Sequence, residues 1–146
     1  MKRFLRIAAC IMVAVIMSSM IATLNPKQNV MASATEDRVM QISGKVTHER
    51  WDYYSLGYLR RGTKVVVEIN NVSNPFLFES VFARIDNRDT ESVTDWTRIW
   101  EGGTKNFYTD ATGNYMVQIK GPAKEGSDGT WIAVQTRYEG TITVID

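Results

Sequence analysis

Lys64-Val65-Val66-Val67-Glu68-Ile69-Asn70 is the stretch that decides the fold. Val65, Val67 and Ile69 share one face of an extended chain while Lys64, Glu68 and Asn70 take the other, as in a strand with one side in a core. Arg60-Arg61-Gly62-Thr63 precedes the run and Asn71 to Pro75 follows it, so it is bounded by turn-forming residues. Tyr115, Val117 and Ile119 alternate likewise with Met116, Gln118 and Lys120. The same register recurs in Met40, Ile42 and Val46, and in Val81, Ala83 and Ile85.

Outward from these runs, apolar residues recur with period two and almost never with period 3.6 from Val39 onward. Further turns are expected at Asp110 to Asn114, around Gly113, and at Lys120 to Gly129, which holds three glycines and a proline. About eight strands follow, near 39–47, 51–59, 64–70, 76–86, 96–101, 104–109, 114–120 and 131–145, the last broken near Gly140. With no helical pattern between strands, the expected fold is all-β: an antiparallel two-sheet β-sandwich, jelly-roll-like, over residues 35–146. Thr35 to Arg38 reads as a short loose tail.

Residues 1–34 read as a signal peptide, including its helix. Lys2, Arg3 and Arg6 form a basic start, Ile7 to Leu24 is an apolar run, and Ala32-Ser33-Ala34 supplies the small-x-small pattern of a cleavage site. The competing reading is an uncleaved membrane anchor, because the run's 18 residues reach the lower limit for crossing a bilayer core of roughly 30 Å. Ser18, Ser19 and Thr23 dilute the run, which favours cleavage. Cys10 has only three residues between it and Arg6, too few for a lipoprotein signal. The expected location is secreted, and the long polar region before the cleavage pattern points to a Gram-positive bacterium.

Trimming changes the charge. Residues 35–146 hold 13 Lys and Arg against 16 Asp and Glu, a net charge of −3. A mildly acidic domain with mixed charges has no electrostatic footprint for nucleic acid or an anionic membrane. It also has no cysteine, so the core must hold the fold without disulfides. At about 110 residues a single core suffices.

Ser43-Gly44-Lys45-Val46, Trp51-Asp52-Tyr53-Tyr54, the turn Gly62-Thr63 leading into Lys64 to Ile69, and Thr104 to Ile119 with Ala111-Thr112-Gly113-Asn114-Tyr115 at its centre follow one another over nearly the whole of residues 35–146. In these motifs the chain resembles the bacterial pre-peptidase C-terminal (PPC-like) domain, a β-sandwich often appended to secreted proteases and collagenases. Gly113 suits a turn needing positive φ, Tyr115 offers its ring to the core, and Asp52 is placed to accept from a neighbouring backbone amide. The resemblance implies a non-catalytic module, here standing alone behind the signal segment, that meets substrate, surface or partner. Calcium binding is seen in related collagenase modules.

Catalytic chemistry finds little material. His48 is the only histidine, at the end of the first expected strand beside Glu49 and Arg50, where a solvent-facing edge position explains it. A nucleophile lacks a base and an orienting partner, zinc lacks nitrogen and sulfur ligands, and no carboxylate pair stands out for sugar hydrolysis. No enzyme is expected. Calcium accepts irregular oxygen ligands, and Asp86, Asp89, Glu91 and Asp95 cluster around one expected loop, with Asn87 and Thr90 as extra oxygens. Arg84, Arg88 and Arg98 flank the same acids and neutralise them without a metal, giving an ordinary salt-bridged loop.

Aromatic residues carry the other reading. Trp51, Trp96, Trp100, Trp131, Tyr53, Tyr54, Tyr58 and Tyr108 offer platforms for sugars or anchors for a protein, although in a small domain most are expected in the core. Trp96 and Trp100 share a strand face. Phe76, Phe78 and Phe82 point opposite to Val81, Ala83 and Ile85, so that both faces of one expected strand are apolar: either a covered central strand or an interface. Arg60, Arg61 and Lys64 form a small basic point at a turn, usable for an acidic polymer, although such a cluster is more often the solubilising end of a hairpin. The sequence thus implies a secreted, non-enzymatic binding or accessory module contacting an extracellular protein or polysaccharide. A small effector, toxin or antagonist of competing cells is the alternative, then an extracellular matrix component.

Overall fold

In the computed structural model, residues 37–76 and 78–146 are described; the signal-peptide reading of 1–34 lies outside them. Eleven antiparallel strands form: β1 (Arg38–Val46), β2 (Asp52–Leu59), β3 (Lys64–Ser73), β4 (Ser80–Asn87), β5 (Ser92–Val93), β6 (Thr97–Trp100), β7 (Gly103–Tyr108), β8 (Gly113–Lys120), β9 (Ala123–Glu125), β10 (Trp131–Ala133) and β11 (Thr136–Ile145). One sheet has the order β1-β11-β3-β7, a second has β2-β8-β4-β5 with β6 also on β4, and β9 and β10 form a separate ribbon. Leaving aside the short β5, β9 and β10, the first long strand pairs with the last, the second with the next to last, the third with the sixth and the fourth with the fifth. That nesting is one long hairpin rolled up, the jelly-roll form of the sandwich.

The core follows the expected alternation. Val65, Val67 and Ile69 of β3 are fully buried, as are Val81, Ala83 and Ile85 of β4, Tyr115, Val117 and Ile119 of β8, and Ile142 and Val144 of β11. β-Branched residues dominate these inner faces because they pack well on a pleated surface. Met40, expected inward with Ile42 and Val46, is partly exposed on edge strand β1.

Four local expectations are corrected. The strand expected over 76–86 begins only at Ser80, because Asn74 builds a turn ahead of it: its Oδ1 accepts from the Phe76 and Phe78 amides (3.1 and 3.0 Å), and its Nδ2 donates to the Phe78 carbonyl (2.6 Å). The segment expected over 131–145 divides at Val134-Gln135, while Gly140 sits within β11 at a bulge opposite β3. There an added Cβ would lie 2.1 Å from the Glu68 carbonyl oxygen. Gly113 has no positive φ; the Asn87 side chain occupies the place of its Cβ, 2.5 Å away.

Asp52 takes a different partner from the expected amide. Its Oδ2 accepts from the Tyr138 hydroxyl (2.9 Å), which lies 2.6 Å from the Tyr54 hydroxyl, and Tyr54 donates to the Ser43 carbonyl (3.1 Å). The cluster joins β1 and β11 of one sheet to β2 of the other. Gly44 makes room for it, since a Cβ there would meet the Asp52 carboxylate at 1.8 Å. Burial and its two partners push the Tyr138 hydroxyl far above the ordinary tyrosine range.

Two outcomes are expected. Gly140→Ala places a methyl against backbone and lowers stability by about 3 kcal/mol, whereas Gly57→Ala, which has open space and only a positive φ, loses about 1 kcal/mol; urea unfolding ranks the two. Tyr138 keeps its proton in the folded chain while the unfolded chain releases it near pH 10, so its contribution to stability is full below that pH and falls as pH rises above it. Tyr138→Phe therefore loses about 1–2 kcal/mol at neutral pH and shows a shallower alkaline decline in urea midpoints than the parent.

Candidate functional site

Residues on the outer face of the second sheet follow from the same alternation that fills the core. With Val81, Ala83 and Ile85 inside, Ser80, Phe82 and Arg84 of β4 are on the other face. Pairing sets Phe82 opposite Arg98 on β6 and Lys120 on β8, Ser80 opposite Trp100, and Arg84 opposite Gln118. Trp96 precedes β6 on the parity of Arg98 and Trp100. One face of the sheet thereby collects aromatic rings and cations.

The two kinds of residue are in contact. The Arg84 guanidinium lies 4.4 Å from the Trp96 ring centre and 5.2 Å from that of Trp51, and Lys120 Nζ lies 4.3 Å from Trp96. Arg98 lies 5.0 Å from Phe82 and 5.3 Å from Trp100. At such distances ring quadrupoles attract the cations, each contact contributing about 0.5–1 kcal/mol where solvent reaches it. Trp51 meets Trp96 edge-to-face at 5.1 Å and is oriented by its indole N–H donating to the His48 carbonyl (2.8 Å). Arg84 also donates to Gln118 Oε1 (2.7 Å), and Gln118 to Asp86 Oδ2 (2.9 Å).

Beside this layer lies an open groove of about 670 Å³. Phe78, Phe82, Trp96, Arg98, Trp100 and Lys120 line the sheet side, and Gly121 to Ala123 with Trp131 of β10 line the other. Trp100 is 56% exposed and Trp131 64%. Burial, reinforced by the Arg84 charge, lowers the Lys120 pKa. No carboxylate lines the groove, and among the described residues the ion pairs are His48–Glu49 and Arg88–Asp86. Among the described residues, Arg84, Arg98 and Lys120 thus have no carboxylate in direct ion-pair contact.

The structure brings Trp96, Trp100, Phe78 and Phe82 together and sets Phe76 next to Phe78, ring centres 6.4 Å apart, with Lys124 Nζ 4.3 Å above Phe76. The expectation that most aromatics fill the core is overturned. None of the four tryptophans is buried, Tyr53, Tyr58 and Tyr108 are exposed, and the core aromatics are Phe107, Tyr115 and Tyr138. The inner faces are already filled by Val and Ile, which leaves the large rings outside. Lys120 was missed as a site residue, Arg84 and Arg98 were read only as neutralising nearby acids, and Trp131 was named among the possible platforms without being singled out. Their signal was present: Phe82 and Arg84 share one parity of β4, which ends at Asp86, and Trp96, Arg98 and Trp100 share another that carries no acid. His48, expected to face solvent, is half-buried at the groove, its Nδ1 buried without a partner.

The acids read for calcium do not converge. Asp86 is buried against Gln118 and 3.8 Å from Arg88, Asp89 accepts from the Asn114 amide (2.9 Å) and side chain, Glu91 sits in the β4–β5 turn with φ 57°, and Asp95 is exposed. Among the described residues no three of His, Cys, Asp and Glu are grouped to hold a metal. Among the same residues, no helix is long and apolar enough to cross a membrane.

No family model matches the chain, and no curated protein matches it. Among solved structures it is similar to PliG of Aeromonas hydrophila, a periplasmic lysozyme inhibitor of g-type lysozyme, with 17% identity over 76% of this chain and 90% of that chain and a TM-score of 0.47. It is similar also to Salmonella Typhimurium PliG, another periplasmic inhibitor of g-type lysozyme, with 17% identity over 73% and 86% of the two chains and a TM-score of 0.41. Similarity of this order carries no partner from one chain to another.

With each acid of the β4–β5 region committed to a protein partner or to solvent, thermal melts recorded with excess calcium and with chelator are expected to coincide; a rise in Tm with calcium would show a site.

Proposed function

We propose that this protein is a secreted, non-enzymatic binding module that takes an extracellular polymer, polysaccharide or protein, in the groove between the second sheet and the β9–β10 ribbon. The observation that carries the reading is the exposure of Trp100 and Trp131 at a groove shared with Arg98 and Lys120. Large rings left in water on a small domain whose core is otherwise complete are the usual mark of a contact surface. A catalytic reading has no support in the same groove: among the described residues His48 has no nucleophile hydrogen-bonded to it, and no carboxylate lines the groove. Secretion rests on the basic, apolar and small-residue order of residues 1–34.

Residues 35–146, which contain the whole described core, are the material for the test. Immobilised, they are offered cell-wall fractions, extracellular polysaccharides, culture-supernatant proteins and a g-type lysozyme. Saturable retention of one fraction, lost in Trp100→Ala and Trp131→Ala with melting temperatures kept, is the expected result. Retention that survives both substitutions moves the contact elsewhere. Absence of any retention removes the binding-module reading in favour of a small effector acting on other cells.

A further inference from the structure

We infer that the groove is selective for an acidic polysaccharide, a chain of sugars bearing carboxylates, with Arg98 and Lys120 taking the acid groups and Trp100 and Trp131 the sugar faces; this rests on the binding-module reading above. The argument begins with charge. Residues 35–146 carry a net charge of −3, yet the groove lining holds Arg98, Lys120 and His48 and no Asp or Glu. A third cation, Arg84, is close enough to lower the pKa of Lys120. Like charges gathered on one face of an acidic domain repel each other, and among the described residues no carboxylate lies within 4.0 Å of Arg84, Arg98 or Lys120. An anionic ligand supplies the missing counter-charge.

The cations are also held in place. Arg98 rests against Phe82 and Trp100, and Lys120 against Trp96, so their rotamers are restricted before any ligand arrives and less ordering is needed on binding. Part of the aromatic surface is thereby occupied by cations. Trp131, on the ribbon across the groove, has no cation within contact distance among the described residues and is 64% exposed. Its ring is available for a sugar face, whose C–H groups suit an aromatic plane. Trp100, 56% exposed, presents the ring surface that Arg98 leaves open.

Acidic groups alternating with apolar sugar faces describe an acidic polysaccharide better than a protein. A carboxylate-rich peptide would satisfy the cations but leave the exposed rings in water. A neutral glycan would do the reverse, covering the rings and leaving Arg98 and Lys120 without an acid group.

Affinity electrophoresis and fluorescence titration of residues 35–146 separate these cases, with polygalacturonate, its fully methyl-esterified form, dextran and polyglutamate as probes. Expected are binding to polygalacturonate that quenches tryptophan emission and weakens with salt, little binding to the ester or to dextran, and weaker binding to polyglutamate without quenching. Arg98→Gln and Lys120→Gln each reduce polygalacturonate affinity by at least about tenfold, and Trp131→Ala reduces it comparably, while Arg61→Gln in the distant basic turn leaves it unchanged. Melting curves confirm that each variant is folded, and Arg98→Gln, at an exposed position, stands if Lys120→Gln is not. Equal affinity for polyglutamate, or for the ester, overturns the inference, as does unchanged affinity in Arg98→Gln. Binding confined to dextran or to a protein fraction overturns it while the binding-module reading stands. Failure to bind any polymer or protein removes both.

Discussion

Side-chain parity on β4 is the constraint on which the rest of the molecule depends. Val81, Ala83 and Ile85 must face inward to meet the buried rows of β3 and β8, and that leaves Phe82 and Arg84 no choice but the outer face. Pairing then brings Arg98 and Lys120 alongside. Core and groove are therefore two sides of one register. A slip of one residue would put Arg84 inside and Ile85 outside, so the hydrophobic energy that holds the sandwich together also fixes the spacing of the aromatic and cationic residues.

Parity explains what could and could not be read from the chain. Strands with one apolar and one polar face, such as Lys64 to Asn70, were legible because burial of the Val and Ile rows is the only arrangement that satisfies both faces. The segment from Phe76 was not, because apolar residues on both parities give the pattern no inside. What settles it is Asn74, whose side chain bonds the next turn of backbone and delays the strand to Ser80. The tryptophans were misread for a related reason: hydrophobicity ranks them as core residues, whereas volume keeps them out once smaller branched residues have filled the space. The four acids of the β4–β5 region were close in sequence, but alternation and the turn send their oxygens in different directions.

Electrostatic organisation is distributed unevenly. Around β4 and β5, Asp86 and Asp89 find donors in Gln118, Arg88 and Asn114, of which Arg88 alone brings a counter-charge. A few residues away Arg84, Arg98 and Lys120 rest on aromatic rings instead of carboxylates. Cation–π contact holds a charge in position without neutralising it, unlike a salt bridge. Three cations are thereby gathered on one face of a domain that is acidic as a whole.

β11 lies between β1 and β3, and its partners come from far earlier in the chain: Val144 pairs with Arg38 on one side and Val65 on the other. Until β11 arrives, β1 has no neighbour in its sheet and one edge of β3 is bare. Such long-range pairing makes folding slow and leaves open strand edges exposed to other chains meanwhile. During synthesis or transport from the N-terminus, the chain passes through an aggregation-prone interval that ends when its latest strand docks. Docking of β11 is the step that gives β1 its neighbour and covers the bare edge of β3 at once.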